Sequence, residues 1–176
     1  YIGIYALNDQ NAVFGKLSLD SLCKIGTAAF SNSTFNEIYL GHAKQLKEIA
    51  ASTFSGCKKL IKMVLPESLE QIDSSAFGSC SGLTGDLIIP RNVKRILSSA
   101  FEDCFNLNGN LYLKSNDLFS IGDSAFQNTN FKNIYISMDP NNVSEKSFWP
   151  GERWLSNNDT YGDEGFRVHV KANFIK

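Results

Sequence analysis

Apolar residues along this chain return at a fixed spacing instead of forming isolated helical or strand-like runs. An isoleucine followed five residues later by a phenylalanine occurs as Ile25/Phe30, Ile49/Phe54, Ile72/Phe77, Ile96/Phe101 and Ile121/Phe126, with Ala, or Thr53 in one copy, just before the phenylalanine and Cys57, Cys80 and Cys104 three residues after it. A second pattern alternates with the first: Phe14-x-x-Leu17-x-Leu19, Phe35-x-x-Ile38-x-Leu40, Leu60-x-x-Met63-x-Leu65 and Phe131-x-x-Ile134-x-Ile136. Two further copies, Leu83-x-x-x-Leu87-x-Ile89 and Leu107-x-x-x-Leu111-x-Leu113, carry one extra residue, with Gly85 and Gly109 absorbing it. The last two apolar positions of each copy are two apart, so they point to one face of a short strand and the residue between them to the other. Six copies predict six strands. Each is followed by an apolar-x-x-Ile step, such as Leu46/Ile49 or Val93/Ile96, and Pro66 and Pro90 stand where two strands stop.

Successive repeat phenylalanines are 24, 23, 24 and 25 residues apart. A period in the twenties predicts a leucine-rich-repeat solenoid, with short parallel β-strands on the concave face and turns, short strands and short helical segments elsewhere. One such unit cannot bury its Phe, Ile and Leu-like residues alone, so each stacks on its neighbours to make one continuous core. Residues 14–137 hold about five to six repeats. Residues 1–13, where Ile2, Ile4 and Ala6 alternate, read as an N-terminal cap or the remnant of a preceding repeat. Residues 138–176 read as a degenerate repeat and C-terminal cap: Pro140, Val143 and Phe148 echo the pattern, Lys146 replaces the inward Ile, and Trp149 and Trp154 are expected to cover the open end. Phe166-Arg167-Val168-His169-Val170 alternates again and predicts a final strand.

Composition narrows the partners. With 43% apolar and 20% charged residues the chain is an ordinary globular one, and 17 basic against 18 acidic side chains give a net charge of −1. No global field draws it to nucleic acid or an anionic membrane, and no apolar run reaches the ~18 residues needed to span a bilayer. Cys57, Cys80 and Cys104 each lie three residues past a repeat phenylalanine. In an in-register ladder such side chains point the same way, so they are expected to be free, buried thiols acting as small hydrophobes. There is no Cys-x-x-Cys pair, and His42 and His169 lie far from the cysteine series, so neither metal nor cofactor is expected. Nucleophile elbows, phosphate loops and zinc-protease motifs are lacking, and the chain reads as a non-enzyme.

The motifs Ile-x-x-x-Ala-Phe-x-x-Cys, Leu83-x-Gly85-x-Leu87-x-Ile89-Pro90 and Ile121-Gly122-Asp123-Ser124-Ala125-Phe126 resemble the BspA-like, or Treponema-type, leucine-rich repeats over residues 14 to about 148. The chain departs from the usual pattern at Thr53 for Ala and at Ser33 and Thr129 for Cys. The resemblance implies a secreted or surface-attached protein, extracellular in location, of a kind associated with adhesion to matrix proteins or to other cells.

The candidate site is the column of strand residues that point away from the core. Tyr39, Val64, Ile88, Tyr112, Tyr135 and His169 occupy it, after Ser18, and are expected to form a ligand-binding face about 29 Å long, six strand spacings of roughly 4.8 Å. The same residues are also good strand formers that stabilise one another across a ladder. One position earlier stand Lys16, Glu37, Lys62, Asp86, Asn110, Asn133 and Arg167, whose alternating signs over the first four strands suggest cross-strand ion pairs. Two functions fit: a recognition or adhesion module binding a protein or glycan through the concave face, or a passive spacer within a larger surface protein.

Overall fold

The computed structural model describes residues 1–6, 15–115, 120–138 and 167–172, with 136–138 and 167–172 as backbone. The longer strands are β1 (Lys16–Ser18), β2 (Glu37–Tyr39), β4 (Lys62–Val64), β6 (Leu87–Ile89), β8 (Asn110–Leu113), β10 (Asn133–Met138) and β11 (Arg167–Ala172). Two-residue strands β3 (Glu48–Ile49), β5 (Gln71–Ile72), β7 (Arg95–Ile96) and β9 (Ser120–Ile121) alternate with them and carry the repeat isoleucines. Every strand pairing is parallel, as a stack of repeats requires. All six pattern-derived strands are present, and β11 lies where the final alternation predicts it.

The core follows from the repeat. Phe30, Phe54, Phe77, Phe101 and Phe126 stack face to face, with centroids 5.4, 5.2, 5.1 and 5.4 Å apart and planes within 16° of parallel. Phe35 and Phe131 close this column edge-on near its two ends. The cysteines are free thiols, buried at 57, 80 and 104 but exposed at Cys23. Each buried thiol donates to the carbonyl of the preceding repeat's phenylalanine: Cys57 to Phe30, Cys80 to Phe54 and Cys104 to Phe77, at 3.1, 3.0 and 3.2 Å. A weak donor on a small apolar group suits that position better than alanine. The departures bond chiefly within their own repeat instead: Thr129 Oγ1 donates to the Phe126 carbonyl at 2.7 Å, and Thr53 Oγ1 to that of Ala50 at 2.7 Å.

The expected short helical segments are absent among the described residues. Between strands the backbone runs as linked i→i−3 turns. Ala29, Ser31 and Ser33 N–H bond back to Gly26, Ala28 and Phe30 C=O at 3.2, 3.1 and 3.1 Å, while Ala28, Phe30 and Asn32 N–H bond forward to Ala51, Thr53 and Ser55 C=O at 3.0, 2.9 and 2.8 Å. An α-helix needs each N–H for the carbonyl four residues back; here half of them serve the next repeat. The turns also place Ala28, Ser52, Ser75, Ser99 and Ser124 at φ of 51° to 58°, and the residues four further on at 58° to 72°. A left-handed residue every fourth position interrupts any right-handed helix. The same geometry reaches the first residues: Ile2 bridges Ile25, and Tyr5 takes φ 53° with its N–H on Thr27 C=O at 3.1 Å.

A second expectation also fails. The longer strands do not form one continuous face; they make a three-stranded sheet, β1-β2-β4, and a four-stranded sheet, β6-β8-β10-β11. The two-residue strands β3-β5-β7-β9 run unbroken past the same point, and Phe77 and Phe101 remain stacked there. The stack is therefore closed on the turn side and, beyond a bond from Thr84 N–H to Ile61 C=O at 3.4 Å, parted on the strand side. Met63 and Leu65, the inward residues of the β4 repeat, are only partly buried although they lie mid-stack, whereas Ile38, Leu40, Ile89 and Leu111 are fully buried. The extra residue between Leu83 and Leu87 first appears here. Its loss again at Phe131–Ile134 is absorbed, because Lys132 N–H reaches Gly109 C=O at 2.7 Å. Trp149 and Trp154 lie outside the described residues.

Candidate functional site

Strand register builds the outward column as the alternation predicts. Ser18 pairs with Tyr39 and Tyr39 with Val64; beyond the break, Ile88 pairs with Tyr112, Tyr112 with Tyr135 and Tyr135 with His169. The column thus consists of two segments, meeting at Val64 and Ile88. Those two are its most open apolar members, 36% and 47% exposed, while Tyr39, Tyr112 and Tyr135 are half-buried. His169 is placed by register alone.

Contacts between neighbours decide what the tyrosines present. Tyr112 and Tyr135 stack on each other, centroids 4.9 Å apart and planes 10° from parallel. Lys16 Nζ sits 4.0 Å from the Tyr39 ring centroid and Lys62 Nζ 5.9 Å from it. One face of Tyr112 and one of Tyr135 are therefore engaged by the other ring, and Tyr39 is met by the two lysines. The expected ion pairs along this edge are not formed: Lys16 and Lys62 lie by the Tyr39 ring, and Asp86 accepts from Asn110. Among the described residues the ion pairs are Lys47–Glu70 at 2.9 Å, Lys94–Glu70 at 3.1 Å and Arg91–Glu67 at 3.9 Å, none of them in the Lys16-Glu37-Lys62-Asp86 series. In the second sheet that series continues as a polar ladder: Asn110 N–H and Nδ2 donate to Asp86 Oδ1 at 2.7 and 3.3 Å, and Asn133 Nδ2 donates to Asn110 Oδ1 at 2.9 Å.

Sequence reasoning missed the cleft at the break. It measures about 600 Å³ and lies between Met63, Val64 and Leu65 on one side and Leu87, Ile88 and Pro90 on the other. Its volume falls in the ordinary range for binding pockets. The signals were present as a pair: the added residue before Leu87, and a methionine, an adaptable gap-filler, at an inward position otherwise held by Leu or Ile.

Elsewhere the chemistry is structural. Glu70 is held below the usual carboxylate range by hydrogen bonds from Lys47 and Lys94. Glu48, an exposed residue on β3, is raised by partial desolvation of its carboxyl and by its hydrogen bond with Asp73, whose Oδ1 also accepts from Gln71 Nε2 at 2.6 Å. Burial pushes the Cys80 thiol well up and that of Cys104 up to about 12, so both stay un-ionised. Among the described residues no three His, Cys, Asp or Glu side chains converge to hold a metal ion, and no helix is long and apolar enough to cross a membrane.

With this geometry in hand, comparisons with known proteins bear on the fold. No curated protein matches the chain. A crystal structure of a leucine-rich repeat protein from Bacteroides ovatus is similar, with a TM-score of 0.61 and 22% sequence identity over 95% of this chain and 45% of that one. The chain thus spans less than half the length of that relative, and the likeness is one of fold. The family model for the BspA type leucine rich repeat region matches in six copies over residues 23–152, the stretch that holds the stacked phenylalanines and their thiol bonds. The chain belongs to the BspA-type leucine-rich-repeat family.

Proposed function

We propose that this chain is a recognition module of a secreted or cell-surface protein, binding a partner protein or glycan through the outward column of its longer strands. One observation carries the reading: Tyr39 and Val64 in one sheet, and Ile88, Tyr112 and Tyr135 in the other, stand in register within their sheets and point away from the core, an apolar and aromatic stripe in two segments. The extracellular setting rests on the family resemblance.

A passive spacer is the second reading, favoured by the same stacking, since Tyr112 on Tyr135 and Lys16 on Tyr39 stabilise the sheets without a ligand. An array of matrix proteins and glycans, probed with the purified chain and with a folded Tyr39/Tyr112/Tyr135→Ala variant, separates the two. Recognition predicts binding by the first and its loss in the second. A spacer predicts none by either.

A further inference from the structure

The break between β4 and β6 leaves ladder groups without their usual partners. In the intact part of the first sheet Leu19 N–H bonds Tyr39 C=O at 3.2 Å and Leu40 N–H bonds Val64 C=O at 2.9 Å. The equivalent bond at the break would run from Leu65 N–H to Ile88 C=O, with Ile88 N–H to Met63 C=O beside it; β4 and β6 form no ladder, and neither bond is made. Alternation along a parallel strand turns these four groups toward the cleft, because their neighbours Lys62, Val64, Leu87 and Ile89 point to β2 and β8. An internal pair of unpartnered strand edges, lined by apolar side chains and open to solvent, is a template for another strand.

Charge adds direction. At the N-terminal ends of the strands Asp86 and Glu37 outnumber Lys62, and all three line the cleft. At the C-terminal ends Lys114 lines it without an ion pair, while Glu67 is engaged by Arg91 at 3.9 Å.

We propose that this break is a strand-addition site for an extended segment of a partner polypeptide, entering parallel to β4 and β6. The segment carries a basic residue where Asp86 and Glu37 lie, β-branched residues against Val64 and Ile88, and an acidic residue at Lys114. It accepts from Leu65 N–H and Ile88 N–H, donates to Met63 and Ile88 C=O, and joins the two sheets into one. The proposal deepens the recognition reading and rests on it.

Amide exchange followed by NMR tests it on the whole chain. In the free protein the amides of Leu65 and Ile88 exchange at least about tenfold faster than that of Leu40. The probe is acetyl-Arg-Thr-Val-Thr-Val-Thr-Glu-amide, which slows both by about tenfold or more. The same peptide N-methylated at alternate residues, or with its Arg and Glu exchanged, does not, and an Ile88→Glu variant, altered at an exposed position, loses the effect. Leu65 and Ile88 protected like Leu40 in the free chain would overturn the proposal, as would a peptide that leaves them unmoved or an N-methylated one that works equally well. If array binding depends on the tyrosines while the peptide changes nothing, strand addition falls and the recognition reading stands.

Discussion

Replacing Phe77 by alanine perturbs the stack at its centre. The ring is fully buried and lies between Phe54 at 5.2 Å and Phe101 at 5.1 Å, so truncation removes both stacked neighbours and leaves a cavity between two repeats. Phe→Ala in a packed core costs about 3–5 kcal/mol, and each aromatic pair adds about 0.5–1.5 kcal/mol beyond its buried area. Some of the pair energy is already within the core value, which places the loss at about 4–6 kcal/mol, a large share of the roughly 5–15 kcal/mol that holds a domain folded. In a linear array the loss falls on one interface, so the segments around Phe54 and Phe101 melt separately. Urea titration followed by circular dichroism reads this as a lower midpoint with a split or broadened transition. Phe105→Ala, at a ring 50% exposed, is the control and shifts stability by no more than about 0.5 kcal/mol. A Phe77→Ala chain that unfolds in one unbroadened transition, with a loss below about 1.5 kcal/mol, would refute the stacking argument.

Three further outcomes follow from the same structure. Iodoacetamide applied to the native chain labels Cys23 alone, because the other three thiols are buried and bonded to carbonyls, and labels all four after unfolding; mass spectrometry counts them. Gly82→Ala destabilises by about 1–3 kcal/mol in urea titration, since a Cβ there would meet the backbone carbonyls of Lys58 and Leu60, whereas Gly15→Ala, with open space around it, is tolerated. Glu48, raised in the folded chain by partial desolvation and by Asp73, binds its proton more tightly there than when unfolded; its favourable contribution is full below pH 4.5 and is lost as pH rises through the folded value. Glu48→Gln therefore gains stability relative to the parent at pH 7 over pH 4, seen as a difference in melting temperature.

The repeat was legible in the sequence because its residues do single jobs. Phe at one position can only be core, and alternation at Ile38-x-Leu40 or Leu111-x-Leu113 places Tyr39 and Tyr112 outward without further information. The thiols were legible for the same reason, down to their remaining free. Helical segments were expected where the chain makes turns, because spacing reports which residues are buried and not how the backbone bonds between them. A local signal was there: two residues past each repeat phenylalanine stand Asn32, Gly56, Ser79, Asp103 and Asn128, mostly the types that tolerate a left-handed φ. The break between β4 and β6 was hidden more deeply. An inserted residue is visible in the sequence, but the same insertion recurs before Leu111 without consequence, and only the lateral bonding of whole strands tells the two apart.

Which face meets a partner is settled by comparing two variants against one array-identified protein in surface plasmon resonance. The first carries Tyr39/Tyr112/Tyr135→Ala on the longer strands, and the second Glu48/Gln71/Arg95→Ala on the short ones. Recognition through the outward column predicts that the first loses affinity about tenfold or more and the second less than about twofold, since few residues carry most of an interface. The opposite order would contradict it.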